Sequence, residues 1–167
     1  HYPMADFWNS SSLCTGCLAY GRWNGYFYID FDGKVTPCVF VPYYTDKIQD
    51  IYAKGGTLAD AIQSRFFKNG RSWQKSRGFD QKEHQGEYLM MPCSIRDNYA
   101  NFRKNILTPE ARGIDQEAEK SLKDEEYKNI MIDYGQELDK LTKKIYDRKY
   151  RKSLTLQTSK QPNLMDH

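Results

Sequence analysis

The sequence has no long hydrophobic run and no large excess of one charge, and these absences narrow the possible partners. No apolar stretch approaches the roughly 18 residues that a membrane-spanning helix requires, and no charged-then-apolar leader opens the chain. Lysine and arginine number 25 against 22 aspartates and glutamates, which gives a formal net charge of +3. So balanced a composition does not indicate a nucleic-acid or anionic-membrane binder. We therefore expect no nucleic acid and no membrane among the partners, and a cytoplasmic location.

Common catalytic motifs are absent as well. The chain has no histidine-based metalloenzyme motif, no glycine-rich phosphate loop and no Ser/His/Asp set with supporting spacing. His84 lies in a polar stretch and is expected to be a surface residue rather than a metal ligand. We therefore assign no catalytic residue.

Length and composition predict one modest domain with polar surroundings. Of 167 residues, 39% are hydrophobic and 28% are charged, so a small core with polar loops is expected. We divide the chain into a cysteine-bearing loop (1–24), a core (25–107), a helical extension (108–152) and a tail that is expected to be disordered (153–167).

A β-hairpin is the clearest local prediction. In YFYIDFDGKVTPCVF (residues 26–40), aromatic and β-branched residues alternate with period two, and Asp32-Gly33 supplies a tight turn before the return strand. Pro37 lacks an N–H, so it indicates either an edge strand or a strand end. The hairpin thus delivers Cys38 at the end of its second arm.

Helices are predicted from apolar spacing. In GTLADAIQSRFFKNG, Thr57 is a good N-cap, Asp60 is placed to bond back to it, and Gly70 is a plausible stop. The polar stretch 71–88 is predicted to be a long surface loop. RDNYANFRKNIL (96–107) predicts a short helix. Its inward residues are expected to be Tyr99, Phe102 and Ile106.

The segment DEEYKNIMIDYGQELDKLTKKIYDRKY predicts a long amphipathic helix, because apolar residues recur every three or four positions over about five turns. These residues are Tyr127, Met131, Tyr134, Leu138, Leu141 and Ile145. Docking onto the chain's own core is the favoured interpretation, and binding of a partner is the alternative.

The four cysteines are the candidate metal-ligating residues of the chain. Cys14 and Cys17 form a C-x2-C pair in a glycine-containing loop, Cys38 follows the hairpin, and Cys93 comes much later in the chain. Thiolates at C-x2-C spacing can point at one ion or cluster. Both later cysteines follow a proline, which stiffens the approach of each thiol.

Three interpretations of these thiols are open. Disulfides are disfavoured by the lysine-rich composition and the lack of a leader, and unrelated buried thiols are a second possibility. A shared four-thiolate site for zinc or an iron–sulfur cluster is favoured. Short zinc sites usually join two C-x2-C pairs, so the isolated third and fourth cysteines favour a cluster.

The segment from Cys17 to Cys38, C-x15-G-x4-C with Gly33 as its glycine, resembles the opening motif of SPASM and twitch domains. These domains follow the catalytic barrel in many radical S-adenosylmethionine enzymes. IDFDGKVTPCVFVPY is similar to that family's hairpin with its Pro-Cys exit, and GTLADAIQSRFF to its following helix. The resemblance covers roughly residues 10–100. It implies an α+β fold in which a small hairpin plus helix, the twitch-like half of SPASM, carries a helical C-terminal extension.

The resemblance further implies one auxiliary [4Fe-4S] cluster on Cys14, Cys17, Cys38 and Cys93, with zinc possible in its place. A full SPASM domain has a C-x2-C-x5-C-x3-C run, whereas MMPCSIRDNYANF has one cysteine, so the single-cluster form is expected. The C-x3-C-x2-C run of the catalytic cluster is also absent. Since the chain begins at His1, we expect the C-terminal domain of a longer enzyme that is inactive alone.

The expected partners are an upstream barrel, which would bind S-adenosylmethionine, and an unknown peptide or small-molecule substrate. The expected role is electron transfer or closure of the active site, with Trp23 or Tyr20 shielding the cluster from water. The alternative is a zinc-stabilised module that presents the helix at 120–150 to another protein.

Overall fold

The computed structural model describes residues 16–22, 25–79 and 90–148. Small antiparallel sheets and helices form the α+β fold that the sequence predicts. Predictions for Cys14, Trp23, His84 and the tail 153–167 lie outside the described residues. The strands are β1 (Tyr28–Ile29), β2 (Lys34–Thr36), β3 (Tyr43–Tyr44), β4 (Asp46–Lys47) and β5 (Arg112–Gly113). The helices are α1 (Ile48–Ala53), α2 (Leu58–Ala61), α3 (Arg65–Ser76), α4 (Tyr99–Asn101) with a π-helical continuation (Phe102–Ile106), α5 (Gln116–Ser121) and α6 (Glu125–Tyr146).

The predicted hairpin is present, with a longer turn than expected. Strands β1 and β2 pair antiparallel, with Ile29 opposite Val35. The alternation predicts a strand that continues to Phe31, but that residue is 96% exposed. The reason is Asp30, whose carboxylate accepts the N–H of Asp32 and closes the turn earlier. Strand β4, which the sequence did not predict, pairs with the other side of β2 and makes it the central strand. Pro37 therefore marks a strand end and not an edge.

The predicted helix at 57–70 is interrupted and then extended. Helix α2 begins after Thr57, whose N–H donates to the Asp60 carboxylate at 2.7 Å. Helix α3 starts after Ser64 and continues through Gly70, so the predicted stop is wrong. A Cβ at position 70 would overlap the ring of Tyr20, so glycine here serves close packing and not termination.

Part of the predicted surface loop is helical and buried. Residues 71–76 belong to α3, and Trp73 and Gln74 are buried. The ring of Trp73 packs edge-on against Phe79 at 5.5 Å between centroids. Packing on a tertiary partner therefore overrides the polar local sequence.

Aromatic side chains form much of the core. Tyr20, Phe66 and Phe67 pack edge-to-face near the middle of the domain. The predicted helix at 96–107 is present as α4 and its π-helical continuation, and its expected inward residues Tyr99, Phe102 and Ile106 are fully buried.

The C-terminal elements pack on this core. Strand β5 pairs antiparallel with β3, and Tyr127 of α6 packs edge-on against Tyr99. The long predicted helix is confirmed as α6, and Gly135 brings it so close to the Asp97 carbonyl that a Cβ would lie 2.7 Å from that oxygen. None of the helices in the described ranges is long and apolar enough to cross a membrane.

Candidate metal centre

Three thiols that are far apart in the sequence lie near one another in the fold. Cys38 belongs to the buried core, and Cys17 and Cys93 pack against that core. Burial raises the pKa of Cys17 to about 12, and negative charge on Cys93 and Cys38 acts in the same direction. The buried Tyr20 also has a raised pKa, first from burial and then from charge on all three cysteines. All three sulfurs therefore lie within electrostatic range of one phenol.

Cys17 is held by hydrogen bonds from helix α3. The side-chain amide of Gln74 donates to the carbonyl of Cys17 at 3.1 Å and to that of Ala19 at 2.8 Å. Arg71 donates to the carbonyl of Tyr20 at 2.9 Å. These bonds satisfy the carbonyls of a segment that has no regular secondary structure, and they fix the Cys17 backbone relative to α3.

Cys38 follows β2 and contacts a tyrosine hydroxyl. Its residue is 7% exposed, and its sulfur lies 2.9 Å from the hydroxyl oxygen of Tyr26. The pKa of Tyr26 is raised well above its usual range by burial and by this bond to Cys38. The Tyr26 hydroxyl therefore keeps its proton, which it can donate to a Cys38 thiolate.

Cys93 lies in a loop that Asp97 organises. The buried Asp97 carboxylate accepts the N–H of Cys93 at 2.9 Å, and Asn98 donates its amide to the Cys93 carbonyl at 3.0 Å. Arg96 forms an ion pair with Asp97 and also donates its own N–H to the Cys93 sulfur at 3.4 Å. The pKa of Cys93 is raised, mainly by burial, and the Arg96 N–H opposes that shift. Backbone donors to sulfur of this kind also stabilise metal-bound thiolates.

One hydrogen bond ties two cysteine-bearing segments together. The hydroxyl of Tyr20, three residues after Cys17, lies 2.7 Å from the hydroxyl of Ser94, which directly follows Cys93. Tyr20 has a positive φ of 66°, a conformation that non-glycine residues adopt rarely and at a cost. The ring of Tyr20 packs directly against Gly70, and this packing offsets the cost of the backbone conformation.

The three described cysteines are of the right chemical type for a thiolate-bound metal group, but they do not form a complete ligand set. Cys17, Cys38 and Cys93 are free thiols, and soft thiolates suit zinc and iron–sulfur clusters. In the part of the chain that the structure describes, no three Cys, His, Asp or Glu side chains are close enough to ligate one metal ion. Four thiolates around one zinc would have sulfurs about 3.8 Å apart, given Zn–S bonds of about 2.3 Å. The four-iron cluster is a larger object whose ligands are spread further than those of a single zinc ion.

Sequence reasoning did not find the residues that hold the thiols in place. Asp97, Gln74 and Tyr26 are polar residues inside segments assigned to a helix, a surface loop and a strand. No local pattern distinguishes Gln74 and Tyr26, because their partners are backbone carbonyls and a thiol elsewhere in the chain. The pair Asp97-Asn98, in a type of sequence that favours loops and caps over helix interiors, is the only signal that points to the Cys93 loop.

Comparisons of the chain with protein-family models, with curated proteins and with solved structures gave no match.

Proposed function

We propose that this chain is the auxiliary iron–sulfur domain of a radical S-adenosylmethionine enzyme, and that Cys14, Cys17, Cys38 and Cys93 hold one [4Fe-4S] cluster. The observation that carries the proposal is that Cys17, Cys38 and Cys93 all contact the same core, and that the Tyr20–Ser94 hydrogen bond joins the segments of Cys17 and Cys93. Chance burial of unrelated thiols gives no reason for three of them to contact one core. We include Cys14 among the ligands because of its C-x2-C spacing to Cys17 and because of the family resemblance.

The surroundings of the thiols support a site for an anionic, sulfur-rich group. The Arg96 N–H lies within hydrogen-bonding range of the Cys93 sulfur, and the Tyr26 hydroxyl within range of the Cys38 sulfur. Donors to sulfur stabilise the charge of a reduced cluster and help to set its potential. The ring of Tyr20 is fully buried, which supports the proposed role of this side chain in shielding a cluster from water.

The role of the chain in this proposal is to hold an electron carrier. A bound cluster would accept and release single electrons near the active site of an upstream barrel. The residues of this chain contribute ligation by four thiolates, hydrogen bonds to sulfur and exclusion of water. The chain lacks a C-x3-C-x2-C run, so S-adenosylmethionine belongs to the upstream barrel, and a reducing cytoplasm would keep the thiols available.

Anaerobic reconstitution with iron and sulfide tests the proposal. We expect a brown protein with about four irons and four sulfides per chain. Cys38→Ala and Cys93→Ala should each lose most of the iron, whereas Val39→Ala, a change at an exposed neighbour of Cys38, should retain it. Cys14→Ala shows whether the fourth ligand is assigned correctly.

Two outcomes would contradict this assignment. A colourless protein that takes up one zinc per chain, and loses it in the same cysteine variants, would favour a zinc-stabilised interaction module. A protein that binds neither iron nor zinc would leave the thiols as ordinary buried cysteines.

A further inference from the structure

Helix α6 covers the core with only part of its apolar surface. Tyr127 and Met131, near its start, pack against the core. Further along the same stripe, Tyr134 is 46%, Leu141 61% and Ile145 39% exposed. Leu138 between them is half-buried. The predicted docking onto the chain's own core is therefore confirmed for the first third of the stripe alone.

The orientation of α6 explains why the stripe is uncovered. The helix turns Gly135 towards the Asp97 carbonyl, and Ile132 packs against the core. The face that includes Ile132 and Gly135 lies to one side of the stripe on a helix of 3.6 residues per turn. Contact with the core through this face leaves Tyr134, Leu141 and Ile145 outward. A continuous apolar seam in water indicates a binding surface.

We propose that this seam binds the same seam of a second copy, with the two α6 helices antiparallel. The seam residues are Tyr134, Leu138, Leu141 and Ile145, and they are separated by four, three and four positions. This spacing is the same in both directions along the helix. A two-fold axis between Leu138 and Leu141 therefore places Leu138 against the partner's Leu141 and Tyr134 against the partner's Ile145.

Charges beside the seam favour this arrangement. Glu137 and Lys144 lie on the same edge of the seam, one heptad apart, and both are exposed. Antiparallel pairing about that axis brings each Glu137 next to the partner's Lys144, which gives two complementary contacts per dimer. A parallel pair would not bring these opposite charges together. The seam is thus complementary to the same seam of a second copy. A surface that binds an unrelated protein would not need this self-complementarity.

Sedimentation velocity and light scattering over a concentration series test the dimer. Because the seam spans about three helical turns, we expect an association with a dissociation constant in the roughly micromolar range. Leu141→Glu should weaken it at least about tenfold, since each dimer loses two buried leucines. Circular dichroism should be unchanged, because Leu141 is exposed in the monomer. The matched control is Tyr52→Glu on α1, because Tyr52 is exposed and lies outside the seam, and this variant should leave the dimer intact. The neighbouring Ile51 packs against the core, so Ile51→Glu would disturb the fold and cannot serve as the control.

A charge exchange tests the antiparallel orientation. Glu137→Lys places like charges together and should weaken the dimer, and Glu137→Lys with Lys144→Glu in one chain should restore it. Failure of the double variant to recover would overturn the antiparallel arrangement. A wild-type chain that stays monomeric up to about 500 µM would overturn the self-association, leaving the seam to another domain or protein. Metal plays no part in these measurements, so their outcome is independent of the cluster proposal.

Discussion

The hydroxyl oxygen of Tyr26 lies 2.9 Å from the sulfur of Cys38. A hydrogen bond to a ligating sulfur stabilises the more negative, reduced state of a cluster. We therefore expect Tyr26→Phe to lower the reduction potential of the reconstituted protein, without loss of iron. Redox titration followed by electron paramagnetic resonance measures this shift. Tyr28→Phe, at the 44% exposed tyrosine of the same hairpin, is the control and should leave the potential unchanged.

Cys38→Ala should affect the hairpin more than α6. Under the cluster proposal, thiolate–metal bonds would supply much of the stability of this small core. The backbone amides of residues 16–40 should therefore be less protected from hydrogen exchange in the variant than in the wild type. Helix α6 should keep most of its circular dichroism signal. Equal protection over 16–40 in variant and wild type would contradict a metal centre at Cys38.

Asp97 should be essential for the geometry of the Cys93 loop. Its buried carboxylate accepts the N–H of Cys93 and pairs with Arg96. Asp97→Ala removes the acceptor of the Cys93 N–H and the ion pair with Arg96, and it should lower the free energy of unfolding by about 2–3 kcal/mol. Urea denaturation measures the loss. Asp97→Asn keeps an acceptor and should be milder, whereas Asp133→Ala at an exposed position on α6 should change little.

Gly70→Ala should destabilise the protein although alanine is the better helix former. In an exposed helix this exchange stabilises by about 1 kcal/mol. Here the new methyl group would overlap the ring of Tyr20, so we expect a loss of about 1–3 kcal/mol on urea denaturation. Ser72→Ala, at an exposed position of α3, is the control. A Gly70→Ala variant as stable as wild type would show that Tyr20 is not packed against α3.

The start of α2 should respond to acid through Asp60. Hydrogen bonds from Thr57 lower the pKa of this carboxyl below its ordinary value of 3.8. A lowered pKa in the folded state stabilises the protein above the unfolded pKa, and this contribution is lost as the pH falls through the folded pKa. Asp60→Asn should therefore lower the urea midpoint at pH 6, and the difference should shrink below about pH 4. Asp50→Asn, an exposed change on α1, is the control.

Local signals in the sequence were enough for the hairpin and the long helix. Asp32-Gly33 between alternating apolar residues forms a turn, because the required backbone conformation is chosen within a few residues, and Gly33 adopts a φ of 79°. The apolar repeat of α6 likewise follows from helical geometry alone. The sequence also predicted a site shared by the cysteines, which stays a prediction, and it gave no sign of Gln74 or Tyr26, which contact the segments of Cys17 and Cys38.

Tertiary structure decided where local preference and packing disagree. Helix α3 passes through Gly70 because the ring of Tyr20 fills the space beside it, and the polar stretch after it is helical because Trp73 is buried. The proximity of Cys17, Cys38 and Cys93, and the part of α6 that remains exposed, depend on how distant segments pack. No local pattern contains that information, because each of these contacts joins residues that are far apart in the chain.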